Sequence, residues 1–260
     1  MIIISQDKED ISWADEFFRD TPVTIVNKGD PLSTSKFVLA TPNFGKEASA
    51  YINYIVTHYD NLPRVNAFVH AHRRTVIRTS DCDIVPILTS LNWQNVTGYY
   101  SFQRSEYNYN LGRELQMASL PMLNISELWR EHVEPYTGGM PADGIIVATA
   151  FAQFAVHRSR IQHFPRRTWE VLLNASLDPG WNAQVDVGRF FEHIWSFLLD
   201  SHDYGLYVNA PPFGKRCSLE PPPAPGRWIP SYFHDCDEYM RRAREYNSCA
   251  YMANLTQQSE

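Results

Sequence analysis

Apolar and polar positions alternate along the chain at two different periods. Ile2-Ile3-Ile4 is a continuous apolar run that predicts a buried strand, residues 7–10 follow as a polar turn, and residues 11–18 place their apolar side chains at helical spacing. Residues 22–26 are rich in β-branched side chains and stop at Asn27-Lys28-Gly29-Asp30, a run of turn formers, which predicts a second strand with a polar loop at its tip. Tyr51, Ile52, Tyr54, Ile55 and His58 predict a helix over residues 47–58, with Asn43-Phe44-Gly45 at its start. Residues 65–69 predict a third strand that closes on His70-Ala71-His72-Arg73-Arg74. Strands alternating with helices imply an α/β fold with a mostly parallel central sheet flanked by helices, whose ligands bind beyond the carboxyl ends of the strands. The polar groups after Ile4, Val26 and Val69 then converge on one edge.

The pattern is weaker further on. Residues 93–110, rich in Tyr and Asn, predict an irregular insertion packed by its aromatic rings. Residues 125–133 predict a short helix, and residues 145–147 with 151–156 a strand or two reaching the same edge. Residues 166–173 and 187–199 are helical by period, a Pro-rich segment 211–230 is expected to wrap the surface, and residues 235–260 form a last helix or tail. No internal repeat is visible. A chain of 260 residues suits one core, so a single domain over residues 1–260 is expected.

Composition narrows the classes. The net charge of −6 argues against indiscriminate nucleic-acid binding, which needs a basic field over the surface, but leaves room for a local basic patch. The apolar start is too short for a signal-peptide core or a membrane anchor, so a cytoplasmic protein is expected, with no membrane partner. Cys82, Cys217, Cys236 and Cys249 show no Cys-x-x-Cys pair, which speaks for free thiols rather than a zinc knuckle or a disulfide scaffold. No Gly-rich phosphate loop and no Gly-x-Ser-x-Gly elbow occurs.

Three groups of residues carry candidate chemistry. His70 and His72 end a strand, where alternate residues point the same way, so both imidazoles face one ligand as acid-base or positioning groups. A metal would need a third ligand, from Asp7, Asp10 or His193, and nothing in the spacing demands one. Glu9, Asp10, Glu47 and Glu192 stand at or within helices that abut the ligand edge, where capping and dipole compensation account for acids as well as a general base or a seat for a guanidinium does. Arg73, Arg74 and Arg78, with Arg158, Arg160, Arg166 and Arg167, form two clusters that read either as a solvated face or as a phosphate-binding one.

Several of these pieces occur in a recognisable order: Lys8-Glu9-Asp10-Ile11-Ser12-Trp13, Val26-Asn27-Lys28-Gly29, Pro42-Asn43-Phe44-Gly45-Lys46-Glu47, Tyr51-Ile52-Asn53-Tyr54-Ile55, Tyr59-Asp60-Asn61-Leu62-Pro63, Phe68-Val69-His70-Ala71-His72, and Ala152-Gln153-Phe154-Ala155-Val156 with Arg158 and Arg160. Over about two thirds of its length the chain thereby resembles a fungal family that looks like a relative of the glycosyltransferase A fold. The resemblance implies a fold of the nucleotide-diphospho-sugar transferase type. It points to two activities. Sugar transfer by this fold relies on an Asp-x-Asp metal clamp, and His70-Ala71-His72 stands in its place. The other implied activity is that of the fungal arginine-containing cyclodipeptide synthases, which join arginine to a second amino acid from arginyl-tRNA and a second aminoacyl-tRNA, in secondary metabolism. On that reading Glu47, His70, His72 and Glu192 are the catalytic candidates. Glu9, Asp10, Asn27, Lys28, Asn43, Tyr51 and Gln153 line the substrate, and Arg73, Arg74, Arg158, Arg160, Arg166 and Arg167 meet tRNA phosphates. An aminoacyl ester is already activated, so neither an ATP loop, a metal nor any other cofactor is expected. Ser5 is a candidate nucleophile for parking a first aminoacyl group. A non-catalytic binding module on a degenerate transferase fold is the third class, favoured by the missing clamp.

Overall fold

The computed structural model describes residues 1–29, 34–77, 80–102, 106–117, 124–139, 145–149 and 152–199. The expected Pro-rich wrap 211–230, the tail 235–260, Arg78 and three of the cysteines lie outside the described residues, as do the side chains of Arg74 and Cys82. The elements, in chain order, are β1 (Ile2–Gln6), α1 (Ser12–Phe17), β2 (Val23–Asn27), β3 (Phe37–Ala40), α2 (Lys46–His58), β4 (Val65–His70), β5 (Arg74–Ile77), β6 (Ser80–Asp83), α3 (Ile84–Ser90), β7 (Tyr99–Ser101), β8 (Glu106–Asn110), α4 (Leu111–Met117), α5 (Ile125–His132), α6 (Glu134–Thr137), β9 (Ile145–Thr149), β10 (Phe154–His157), α7 (Arg158–Ile161), α8 (Arg166–Ser176), α9 (Pro179–Gln184) and α10 (Val187–Leu199). Among the described residues they fall into two compact units, residues 1–71 with 98–199, and residues 72–97.

The first unit is an α/β layer built on a six-stranded sheet of order β3-β2-β1-β4-β10-β7. β3, β2, β1 and β4 pair in parallel. β10 runs against both β4 and β7, so the sheet is mixed rather than mostly parallel. Period cannot encode direction: Phe154 to Val156 reads as a buried strand in either sense. The region 93–110 holds two strands in place of an irregular insertion: β7 closes the main sheet, and β8 pairs with β9 in a separate antiparallel ribbon. The run 145–149 therefore does not reach the main sheet's edge.

The chain leaves β1 in one direction toward β2 and β3 and returns on the other side as β4. Right-handed crossovers then put α1 and α2 on opposite faces. Side-chain parity agrees with this. Ile3, Val26, Phe68, Phe154 and Val156 join one core with Tyr51, Ile52 and Ile55 of α2, Trp169 and Leu172 of α8, and Phe191, Ile194 and Trp195 of α10. The alternate positions Ile2, Ile4, Ile25 and Val69 are fully buried on the other face, where α1 is tied down by Trp13 Nε1 donating to the Ala71 carbonyl at 2.7 Å.

Gly45 sets the entry to α2 with φ of 66°, and a Cβ there would meet the Ser176 carbonyl oxygen at 2.7 Å. Its amide donates to Asn182 Oδ1 at 2.8 Å, so this turn joins α2 to the end of α8 and to α9. Gly45→Ala is expected to cost about 1–3 kcal/mol through the left-handed backbone and the collision together, read as a lower denaturation midpoint with an unchanged denaturant slope.

The second unit contributes the β5–β6 hairpin and α3 among the described residues. The Arg73 guanidinium grips Asp83, with Nε 2.9 Å and a terminal nitrogen 2.6 Å from Oδ2. Asp83 also caps α3 by accepting from the Val85 amide at 3.0 Å.

Candidate functional site

The connections out of β1 and into β4 run in opposite senses, which makes the carboxyl tips of these two strands the switch point at which open α/β sheets hold their ligands. The loops above it are stitched by short-range bonds. Lys28 N donates to the Gln6 carbonyl and Thr41 N to the Asn27 carbonyl, both at 2.9 Å. Asn43 Nδ2 reaches Asp7 Oδ2 at 3.3 Å, and Asn27 Oδ1 accepts from the Gly29 amide at 2.9 Å. Gly29 lies against the Asp7 carbonyl, where any side chain would collide. Because β10 runs backwards, Gln153 at its start lies at the same edge, and its Oε1 accepts from the His70 amide at 3.3 Å.

Parity divides this edge into two sides. Ser5 and His70 are register partners and share the face of Ile3 and Phe68, the side covered by α2 and α10. Gln6 and Asn27 point to the α1 side. Neighbouring strands lie about 4.8 Å apart, so the tips of β2 and β4 are separated by about 10 Å across β1.

On this side of the sheet the first turn of α2 carries Glu47, within electrostatic reach of Lys28 beyond the tip of β2, and Tyr51 stands one turn further along the same helix face. Oε1 of Glu47 is sealed from solvent with no hydrogen-bond partner, and the hydroxyl of the fully buried Tyr51 is equally unpartnered. Burial pushes the Glu47 carboxyl up to about 7. The Glu192 carboxylate on α10 adds to the rise, and its own helix amide, Lys28 and Lys46 oppose it. Burial also lifts Glu192 above the usual carboxylate range, with Asp186 adding and His193, Lys46 and Arg189 opposing. The Lys28 ammonium is pushed down by burial, an effect that Glu47, Asp7 and Glu9 resist. Tyr51 is raised by burial and by both carboxylates, Glu47 and Glu192. The sheet edge thus presents one desolvated ammonium, two desolvated carboxylates and a buried hydroxyl within mutual electrostatic reach. An exposed ion pair from Lys46 to Asp186 at 2.6 Å ties the start of α2 to the start of α10 and holds the two carboxylates on facing helices. Tyr51 is wedged by Phe68 and Trp195, with ring centroids at 5.0 and 6.1 Å.

Two contributors escaped the sequence reading. Oε1 of Gln6 and the hydroxyl of Thr41 are buried at this edge without partners. A polar residue closing a strand that opens on three isoleucines was the available signal for Gln6. Among the described residues no three His, Cys, Asp or Glu side chains are arranged to hold a metal ion.

Other expected site residues go elsewhere. Glu9 folds its carboxylate back onto the amides of Asp7 and Lys8, at 2.8 and 3.1 Å. Asp10 is exposed and accepts from the amide and hydroxyl of Ser12, both at 2.9 Å, which makes it a turn former at the entry to α1. His72 belongs to the second unit, as does Arg73, whose guanidinium is committed to Asp83. His193 bonds back to its own helix through the Arg189 carbonyl at 2.7 Å. Of the arginines expected at the mouth of the site, Arg158, Arg160, Arg166 and Arg167 are at the other end of the sheet. His157 pairs with Val65 at the amino end of β4, and Arg158 N donates to the Arg64 carbonyl at 2.9 Å. Arg166 reaches Asp60, beyond the C-terminus of α2, at 3.2 Å and Glu170 at 3.3 Å, and Arg167 lies 3.7 Å from Glu170. The eleven helical steps of α2 from Glu47 to His58 put about 16 Å between the two ends.

No helix among the described residues is long and apolar enough to cross a membrane. A family described as "Protein of unknown function (DUF3431)" matches the chain over residues 1–209. No curated protein and no solved structure matches it.

Proposed function

The chain belongs to the DUF3431 family, and we propose that it is an aminoacyl-tRNA-dependent enzyme that forms a cyclic arginine-containing dipeptide. The observation that carries this reading is the Glu47 carboxylate on the first turn of α2, with one oxygen sealed and unpartnered and its pKa pushed up to about 7. A general base works best when its pKa lies near the working pH. In the first step the ionised Glu47 takes a proton from the α-ammonium of one aminoacyl group. The freed amine attacks the ester carbonyl of the other, a C–N bond forms, the C–O bond to the ribose breaks, the proton held by Glu47 passes to the ribose oxygen, which leaves as a hydroxyl, and the second proton that the nitrogen sheds on becoming an amide is released to water. The same exchange in reverse sense closes the ring and frees the second tRNA. Lys28 keeps part of the Glu47 population ionised, Tyr51 offers a hydroxyl beside it, and Glu192 supplies a second carboxylate for a guanidinium.

Purified protein supplied with arginine, a set of second amino acids, ATP, tRNA and the matching synthetases is expected to yield a cyclic dipeptide by mass. Ribonuclease treatment of the tRNA beforehand should remove it, and a product that survives that treatment would overturn the reading. Lys28→Met should move the rising limb of kcat/KM to higher pH, because Glu47 loses the cation that favours its ionised form. An unmoved limb would remove Glu47 from the role of base.

One observation favours a glycosyltransferase that uses a nucleotide-sugar donor: the parallel order β3-β2-β1-β4 with a switch point beside β1, an arrangement common to nucleotide-binding sheets. Manganese-dependent binding of uridine or guanosine diphosphate, with no dipeptide formed, would decide for it.

A further inference from the structure

The far end of the sheet carries a feature that the proposed chemistry does not use. Where β10 ends beside the start of β4, chain reversal brings three arginines around one imidazole. Arg64 precedes β4, Arg158 and Arg160 belong to the short helix α7, and the Arg158 amide is bonded to the Arg64 carbonyl at 2.9 Å. His157 at their centre has a ring nitrogen engaged with the Ser159 hydroxyl at 2.8 Å. Its pKa is lowered, first by burial and then by Arg64, Arg158 and Arg160 together, so all three guanidinium groups act on the same point. Arg64 and Arg158 are exposed and Arg160 is half-buried. In a chain of net charge −6, folding has gathered cations that lie almost a hundred residues apart in sequence.

We propose that this amino-end edge of the sheet, centred on Arg64, Arg158 and Arg160, is a docking surface for the phosphate backbone of RNA. The choice of RNA rests on the aminoacyl-tRNA reading, whereas the cationic surface stands on the backbone bond that sets Arg158 beside Arg64 and on the short helix that carries Arg158 and Arg160. Guanidinium forks match phosphate oxygens, and backbone contacts of this kind position a nucleic acid without reading its sequence. The separation is suited to the task. An RNA whose 3′ end enters at Glu47 runs the length of α2, about 16 Å, before its phosphates meet Arg158, a length that a few unpaired nucleotides cover. Catalytic and docking groups at opposite ends of the sheet then grip different parts of one substrate. Arg166 and Arg167 add less, since Asp60 and Glu170 offset their charge.

The test is binding of deacylated tRNA to the full chain, by fluorescence anisotropy over a series of salt concentrations, with circular dichroism to verify folding. The double variant Arg158→Ala/Arg160→Ala should bind at least ten-fold more weakly, and its slope of log K against log salt should be shallower by about 1.4 to 1.8, the counterions released at two phosphates. Arg19→Ala, at the far end of α1, should leave both unchanged. An unaltered affinity and slope in the double variant, or an equal loss in Arg19→Ala, would overturn the proposal. So would loss, in the double variant, of binding to phosphatidylserine vesicles by a protein that never binds tRNA, because the anion served would then be a lipid surface. Binding is scored without turnover, so a protein that holds tRNA through these arginines but makes no dipeptide refutes the catalytic reading and leaves this one intact.

Discussion

Glu47→Gln is expected to reduce turnover by about 10²–10⁴-fold while making the folded chain more stable above neutral pH. Both effects follow from one fact: a carboxylate is held where water cannot reach one of its oxygens and no donor replaces it. Its folded pKa, about 7, stands above the ordinary glutamate range found in the unfolded chain. The folded state therefore prefers the protonated acid. Stability contributed by that proton is fully present below the ordinary glutamate range and is lost as pH rises through about 7. Each factor of ten in the ionisation equilibrium is worth about 1.4 kcal/mol, so the ionised group costs the fold about 3 kcal/mol at pH 8. Gln carries no charge to desolvate and escapes this cost. Denaturant unfolding of both proteins should give a difference that is small at pH 4, opens between pH 5 and 7, and levels off above. The alternative account of Glu47, an acid placed in the first helical turn to complement the dipole, predicts the opposite sign: the Gln variant would be less stable by about 0.3–1 kcal/mol at neutral pH. A variant that is less stable and nearly as active would return Glu47 to that role.

The part of the site that was legible in the sequence is the part fixed by local pattern. Ile2-Ile3-Ile4, the residues before Asn27 and the apolar positions of α2 carry clean periods and unmistakable stops, so β1, β2, α2 and β4 were all expected where they occur, within a residue or two at the ends. With them came the placement of Lys28 just beyond β2, of Glu47 in the first turn of α2 and of His70 at the end of β4. Glu192 joined because α10 is strongly periodic, although nothing in the pattern alone says that its start packs against the start of α2. What was not legible is direction. Phe154 to His157 is apolar whichever way it runs, and its reversal carries Arg158 and Arg160 to the opposite edge, away from the pocket mouth that a parallel strand would have given them. Local competition accounts for another miss. Glu9 and Asp10 have the right chemistry in the right loop, but each finds backbone or hydroxyl donors within two residues, and such short-range bonds form at little entropic cost. β3 escaped notice because its short run Phe37–Ala40 is a largely exposed edge strand that shows no inside-outside alternation.

Phe154→Ala is expected to cost about 3–5 kcal/mol, the range for an aromatic ring deleted from a packed core. Phe154 is fully buried in the middle of the sheet, and its ring centroid lies 5.1 Å from Phe68, 5.1 Å from Tyr99, 5.5 Å from Trp195 and 6.0 Å from Tyr51. Set against the roughly 5–15 kcal/mol that holds a typical domain folded, the loss leaves little margin and should lower the melting midpoint by about 10 °C. The consequence for function runs through Tyr51. Its ring meets Phe154 edge to face, at 89°, and this contact helps to aim the hydroxyl toward the Glu47 end of α2. Phe154→Leu separates the two effects, since it refills much of the volume but removes the aromatic partner, worth about 0.5–1.5 kcal/mol. Assayed well below its melting point, the Leu variant should keep its tRNA affinity and lose turnover several-fold, because the docking arginines lie at the other end of the sheet while Tyr51 loses its guide. Equal turnover in the Leu variant and the parent would mean that Tyr51 is held by Phe68 and Trp195 alone, and that the aromatic cluster serves stability without shaping the site.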